Sequence, residues 1–568
     1  MLAGSITAHA ATVNCAGLQT ALNGGGTVIL SDAALCTGTF TLTVPVLLEG
    51  ANSNQGFDGS SHGGTRSLSG TDVGAVTVVN LTFQNSSSGS SLGGALMLTG
   101  DIQPQVLNNR FFANTSDSGG GAASIVKNVN GGPFVISGNT FGASAFGAGN
   151  RVTTGSGGAL FASARDGVTI SNNTFIENSS TVTGNNTNAG AGGMFFQYFG
   201  TVNGAVATVS GNTFSNNTSH LNGGGAVIVV DAAQGMAPDI HVSANVFSNN
   251  RLLDTQTDFV THQGGGLFIQ RDAPGTTVQS HNKFDGNDVT APTVSEDQTY
   301  DYGGGGEWLA GGNTTSLDDT YINNVVSAVS GSSVTGVGGG LAVRGLSQTN
   351  GATLTATNLV SGGNTVGADG EGAGIYAGGV GCSSAVCPAT LNLNDSTVVA
   401  NTSGGTGGGI AGDATDTLHL ANDIVTNNSG RGPAIAGFGT TTVTYTDACN
   451  GTSAYSGTGN ICADPKLVSV TPGAINVHET ATSPTIDKGL NSLVTPGTPQ
   501  DYAGNTRILG AAVDMGAAEF TPLIPSLPAA GSGPAQRGGP QPAWILVALT
   551  ALLAAVAVAA IRRRTETE

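Results

Sequence analysis

Apolar residues along this chain come in short bursts, each opened by a run of glycines. AVIVV (Ala226–Val230) follows Gly223–Gly225, and LFIQ (Leu267–Gln270) follows Gly264–Gly266. Bursts of four to six residues have strand length, not helix length. The last glycines of the runs fall at 94, 121, 158, 193, 225, 266, 306, 340, 374 and 409. Ten copies at a spacing of about 35 residues mark a stacked repeat and not a globular enzyme core. A second pattern, aromatic-x-x-Asn, fills each gap. It ends at Asn114, Asn178, Asn217, Asn250, Asn287 and Asn324, and later copies put a β-branched residue in the aromatic slot, as in STVVAN to Asn401 and NDIVTN to Asn427.

Strands this short cannot each bury a face alone, so the pattern predicts a coil in which every strand stacks on its counterpart in the next repeat. Phe111, Phe175, Phe214, Phe247, Phe284 and Tyr321 are then expected one above another inside it. The asparagines are expected at turns, where they tolerate left-handed backbone and form amide ladders. The glycines supply bends and close backbone approach. Two unlike strand units per repeat predict two rungs per repeat, of about 17–20 residues each.

The alternating GGA(I/L/V) and FxxN units resemble the repeats of the chlamydial polymorphic outer-membrane protein family, and of bacterial right-handed parallel β-helix proteins more widely, over about residues 80–430. That family ends in a membrane barrel, whereas 48 residues follow Phe520 here, so an autotransporter is not expected. The resemblance implies an all-β fold: a right-handed parallel β-helix (solenoid) with an N-terminal cap, a small C-terminal module and one C-terminal transmembrane helix.

The two ends add to this. Residues 1–10, closing on Ala8-His9-Ala10, read as the remnant of a signal peptide. Residues 11–50 form the N-terminal cap and first rungs, with a short helix at Ala16–Leu22, and 51–440 carry the repeats. Six cysteines fall in three local pairs, Cys15/Cys36, Cys382/Cys387 and Cys449/Cys462, and are expected as disulfides. Residues 441–520 hold SPTIDKG…DYAGNTRILGAAVDMGAAEF, similar to the choice-of-anchor Q module of bacterial surface proteins. Its Asp487, Arg507, Asp514 and Glu519 are expected in a buried ion network closing the solenoid. A Pro/Gly/Ala linker (521–543) precedes an uncharged span, 544–561, that would cross about 27 Å as a helix. Trp544 marks one interface of that span, and Arg562, Arg563 and Arg564 of the tail 562–568 mark the cytoplasmic one. LPAAG (Leu527, Pro528 to Gly531) resembles a sortase signal with Ala530 in place of threonine, which implies sortase-like processing. The protein is therefore expected on the extracellular face of the cell envelope.

Net charge is −19 with four lysines among 568 residues, which excludes a nucleic-acid-binding face outside the terminal arginines. The signatures of pectate lyases and polygalacturonases are missing. Asp318-Asp319 stands alone in the slot before the aromatic and reads as a turn. One constellation has catalytic character: Asp231 and Asp272 each fall six residues after their glycine run. Asp166 falls eight after its own, and Arg165, Arg271 and Arg344 lie nearby. Two rungs per repeat would place Asp231 and Asp272 about 9–10 Å apart, near the upper limit for an inverting glycosidase pair. No cofactor is expected, apart from calcium at the acidic insert Ser295–Asp301 with Glu296, Asp297 and Asp301 as ligands. The function expected is adhesion or ligand display, with polysaccharide or another cell surface as partner. The alternatives are a polysaccharide lyase or glycosidase acting along the groove, and a structural stalk or surface-layer component. Gln263–Trp308, holding Asp272, Glu307 and Trp308, is the strongest local break in the repeat.

Overall fold

The computed structural model describes residues 10–522 apart from 61–64, 143–147, 183–189, 234, 254–261, 291–301, 328–335, 347–349 and 379–386. The chain passes through four strand positions in turn. In one coil these are Val206–Ser210, Thr213–Ser215, Thr218–Ser219 and Ala226–Ala232, and Asp239–Ser243 opens the next. Each strand pairs in parallel with its counterpart one coil on: Val206 with Asp239, Thr213 with Val246, Thr218 with Arg251, Ala226 with Leu267. Among the described residues the four positions stack into sheets of 15, 14, 9 and 13 strands, here sheets 1 to 4 in chain order. The protein is a parallel β-solenoid.

One repeat makes one coil, not two rungs. The glycine-led unit forms sheet 4 and the Asn-ended unit forms sheet 2, so they occupy different faces of the same coil and never stack on each other. Each stacks on its own kind instead.

The interior follows from this register. Phe57, Phe83, Phe111, Phe141, Phe175, Phe214, Phe247, Phe284 and Tyr321 form one continuous stack with centroids 4.7–5.0 Å apart. The coil spacing itself, about 4.8 Å, sets that distance. Two asparagine ladders flank the stack. At the corner between sheets 2 and 3, the side-chain amides of Asn114, Asn150, Asn178, Asn217, Asn250, Asn287, Asn324, Asn364, Asn401 and Asn428 each donate to the next at 2.9–3.0 Å. Asn217 Nδ2 also donates to Phe175 O, and Asn250 Oδ1 accepts from Asn217 N, so backbone groups left over at the corner are satisfied. The second ladder, between sheets 1 and 2, runs from Asn109 through Asn139, Asn173, Asn212 and Asn245 to Asn282 and ends on Asp319.

The left-handed residue at these corners is the one before the ladder asparagine: Asn216 at φ 55°, Asn249 at 54°, Ala113 at 54°. Turning the chain and bridging the coils thus fall to two adjacent residues, which explains the NN doublets. The glycine runs serve the opposite corner, before sheet 4. A Cβ on Gly224 would lie 2.2 Å from Gly265 O, so no side chain fits between successive coils there.

The cap helix runs Cys15–Gly24, longer than expected at both ends. Asn14 caps it through its side chain, accepting from Gly17 N at 3.0 Å. Its Leu18 and Leu22 cover the first coil. Disulfides Cys15–Cys36 and Cys449–Cys462 are present as expected. Of the third expected pair, Cys387 is buried and disulfide-bonded, and Cys382 lies outside the described residues, so the geometry of a Cys382–Cys387 bridge is not described.

Residues 441–463 complete and cover the last coil, with Tyr445 N donating to Thr458 O and Tyr455 Oη to Ile435 O, whereas the ion-network part of the C-terminal module does not lie at the solenoid's end. It folds back along the outer face of sheet 2, where Gly473 N donates to Asn323 Oδ1, Leu490 N to Asn422 Oδ1, and Ala517 N to Thr397 Oγ1. Val477, Ala517 and Ala518 pack on Val360 and Val399 of that face. Arg507, 1% exposed, reaches Asp395 of the solenoid at 3.3 Å and donates to Ala517 O and Gly516 O. Asp514 accepts from Asp487 N and Phe520 N, and Glu519 accepts from Asp514 N. The four expected residues therefore converge, on the flank. Glu519 stands 3.8 Å from Arg507, beyond hydrogen-bond reach, and burial pushes its carboxyl up to about 8, so the ion pair proper is Arg507 with Asp395.

Candidate functional site

Strand alternation sorts the sheet 4 residues. In Leu267–Arg271 the side chains of Leu267, Ile269 and Arg271 are buried, Leu267 and Ile269 in the main core; Phe268 is buried in a second apolar cluster with Val227 and Trp308, and Gln270 and the following Asp272 are on its side of the sheet. Val230 pairs with Arg271, and Asp272 N donates to Val230 O, so Asp231 and Asp272 are neighbours on adjacent coils. Their strands are then about 4.8 Å apart, not the 9–10 Å that two rungs per repeat implied. That is too close to admit an attacking water between them as an inverting pair does. Each carboxylate accepts from a glutamine: Asp231 from Gln197 at 3.0 Å and Asp272 from Gln270 at 2.7 Å. Burial against the rim raises the Asp272 carboxyl, the Gln270 amide opposes this, and Asp231 adds to the rise.

The other candidates do not join this pair. Phe199 pairs with Asp231 and Ala164 with Tyr198, which puts exposed Arg165, not Asp166, in the Asp231 column. Asp166 instead makes a 2.7 Å ion pair with the fully buried Lys127 and accepts from Gly131 N. Arg271, 1% exposed, is an internal clip, with its guanidinium donating to Pro238 O, Pro274 O and Thr276 O and to Thr277 Oγ1. Burial lowers it to about 10. Arg344 pairs with Ala310, one column away. The calcium candidates Glu296, Asp297 and Asp301 lie outside the described residues. Among the described residues no group of three or more His, Cys, Asp or Glu is placed to hold a metal ion.

Beside Asp272 the corner between sheets 4 and 1 dips. In most coils a loop separates these sheets, such as 233–238 or 201–205. In the coil after Asp272 the link between Glu307–Ala310 and Gly312–Leu317 is Gly311 alone, and Gly311 and Gly312 are both left-handed at φ 72° and 71°. A Cβ on Gly312 would lie 2.3 Å from Arg271 Cδ, so only glycine fits at this position. The result is an open groove of about 670 Å3, with Asp272 and Pro274 on one wall, Pro388 on the other, and Asn313, Thr353 and Thr390 along its floor. Asn350 braces it by accepting from Gly312 N and donating to Arg271 O. The pattern of repeats did not point to this groove. The missing loop in WLAGGNTT was its signal.

The floor continues into the outer face of sheet 1. Register places Thr276, Asn313, Thr353, Thr390, Thr417 and Thr440 in one column, and Val278, Thr315, Thr355, Asn392, His419 and Thr442 in the next. These outward positions carry no Asp, Glu, Lys or Arg, on a chain of net charge −19.

A different polar cluster lies inside. Glu307 is fully buried, accepting from Gln279 Nε2 at 2.5 Å and Tyr321 Oη at 2.6 Å. Asp319, also fully buried, accepts from Ser316 Oγ and from Asn282. Burial pushes Glu307 up to about 8 and Asp319 to about 7. Asp318 takes the left-handed turn position, φ 58°, so the Asp318-Asp319 pair is a corner, as the sequence suggested.

Compared with protein-family models and with curated proteins, the chain matches none. Among the described residues no helix is long and apolar enough to cross a membrane. The expected span 544–561 lies outside them, together with Leu527, Pro528, Gly531, Trp544, Arg562, Arg563 and Arg564.

Proposed function

We propose that the protein is an anchored surface rod for adhesion or ligand display, which binds carbohydrate or another surface along the outer face of sheet 1. The observation that carries this reading is that face from Thr276 onward: two columns without Asp, Glu, Lys or Arg, made of hydroxyl and amide side chains except for Val278 and His419, held in register over successive coils. Its right-handed winding follows the rule for parallel crossovers. Export is supported by the disulfides that tie the first coil and the end of the last. Anchoring rests on the apolar span 544–561 with its arginine tail, and display outside the cell on the choice-of-anchor-Q-like module before it.

The test expresses the full chain on cells and measures adhesion to immobilised polysaccharides and to neighbouring cells, with reducing-end release recorded in the same wells. Adhesion lost on replacing Thr355 and Asn392 by lysine supports the reading. Release of reducing ends, abolished in Asp231→Asn or Asp272→Asn, establishes the hydrolase or lyase alternative instead. Neither adhesion nor release leaves the stalk.

A further inference from the structure

We infer that the groove beside Asp272 is a subsite for a neutral polysaccharide chain running along the solenoid axis. This rests on the carbohydrate-binding reading and adds to it a location and a ligand class.

Length supports it first. The groove spans the four coils from Asp272 to Thr390, so it is about 14 Å long at the coil spacing. Two coils rise about 9.6 Å, close to one disaccharide unit of an extended β-1,4-linked chain. Floor groups that recur coil by coil therefore meet sugar hydroxyls that recur at a commensurate step.

The chemistry of the lining selects the class. Asn313, Thr353 and Thr390 donate and accept, which is what sugar hydroxyls require. Pro274 and Pro388 offer C–H surface on opposite walls for the apolar faces of pyranose rings. Asp272 accepts from a hydroxyl. No cation lines the groove, and Asp272 with Asp231 behind it repels anionic chains. A uronic acid or sulfated polymer is therefore disfavoured.

The site is also rigid before any ligand arrives. Arg271 ties Pro238 O, Pro274 O and Thr276 O together beneath the wall, and Asn350 ties Gly312 N to Arg271 O. Little ordering remains to oppose binding, which matters for ligands held mainly by hydrogen bonds.

The experiment uses cells displaying the full chain and three soluble probes: hydroxyethyl cellulose, mannan, and carboxymethyl cellulose as the anionic form of the first backbone. Thr353→Val with Thr390→Val removes two floor hydroxyls and keeps β-branched side chains. Thr174→Val with Thr213→Val, register neighbours on sheet 2 and outside the proposed binding face, is the control. At least one neutral probe is expected to bind, about tenfold more weakly to the groove variant, as the loss of two hydrogen bonds predicts. The control should bind like the unaltered protein. Equal binding by both variants, or preference for carboxymethyl cellulose, overturns the groove assignment. Adhesion to other surfaces with no neutral probe bound overturns this inference and leaves the adhesion reading intact, and loss of both sinks both.

Discussion

Glu307→Gln should change how stability depends on pH, with little change in acid. Glu307 lies inside the coil with no cation beside it. Its carboxyl is raised by burial from 4.5 to about 8, hydrogen bonds from Tyr321 and Gln279 opposing and Asp319 adding. In the unfolded chain it titrates at the ordinary value. Its contribution is therefore present in full below about pH 4.5 and lost as pH rises through about 8. Each pH unit in that window costs about 1.4 kcal/mol, so between about pH 5 and pH 8 the acid destabilises by about 4 kcal/mol. Glutamine matches its shape and carries no proton to lose. Gln279 Oε1, buried without a partner, accepts the amide N–H once its own amide turns over. Urea titrations of both proteins at pH 5 and pH 8 measure the effect, and the difference between them isolates Glu307 from other raised acids such as Glu479 and Glu519. The variant should match the parent at pH 5 and exceed it by several kcal/mol at pH 8. Parallel pH profiles would refute the reasoning, because they would mean that Glu307 is ionised in the folded coil.

Phe214→Ala removes a ring stacked 4.7 Å from both Phe175 and Phe247. It should cost about 3–5 kcal/mol and split urea unfolding into two steps, because coils cohere only through neighbours. Asn217→Ala breaks the amide links to Asn178 and Asn250, and should cost about 2–4 kcal/mol, with loss of hydrogen-exchange protection at the Asn178 amide. Arg507→Met leaves Asp395 buried and unpaired, costing about 3–5 kcal/mol, and exposes 464–520 to protease. The double variant Arg507→Met with Asp395→Asn, which suits the left-handed backbone there and still accepts from Asn422, should recover most of that loss, and equal losses in both would refute the pairing.

Much of the fold was legible because the repeat states its own register: the aromatic slot named the stack, and the NN doublets named the corners. The count of rungs was not legible. Spacing alone cannot distinguish two strands on one coil from two coils, and only pairings such as Thr213 with Val246 separate them. Arg271 and Glu307 pass for exposed edge chemistry in the sequence, although their parity with Leu267 and Leu309 points them inward. The dock on the flank also has a signal. The late repeats that lose the aromatic turn Val360, Val399 and Ile424 outward from sheet 2, where earlier coils carry mixed residues such as Thr213, Ser215, Lys283 and Asp285. The groove was hidden because it is made by an absent loop.

Each coil stores about 35 residues in a rise of about 4.8 Å, and freed it extends to about 120 Å. The ladder bonds from Asn217 to Asn250 and onward run coil to coil along the axis. A pull on the first coil against the coils that hold the docked C-terminal module therefore loads these bonds one coil at a time instead of shearing many together. Under fluid drag the rod would lengthen in steps of about 115 Å while the remaining coils stay folded. Disulfides Cys15–Cys36 and Cys449–Cys462 oppose release at the two ends. A solenoid built this way would absorb a sudden load by extension and wind back, coil on coil, when the load passes.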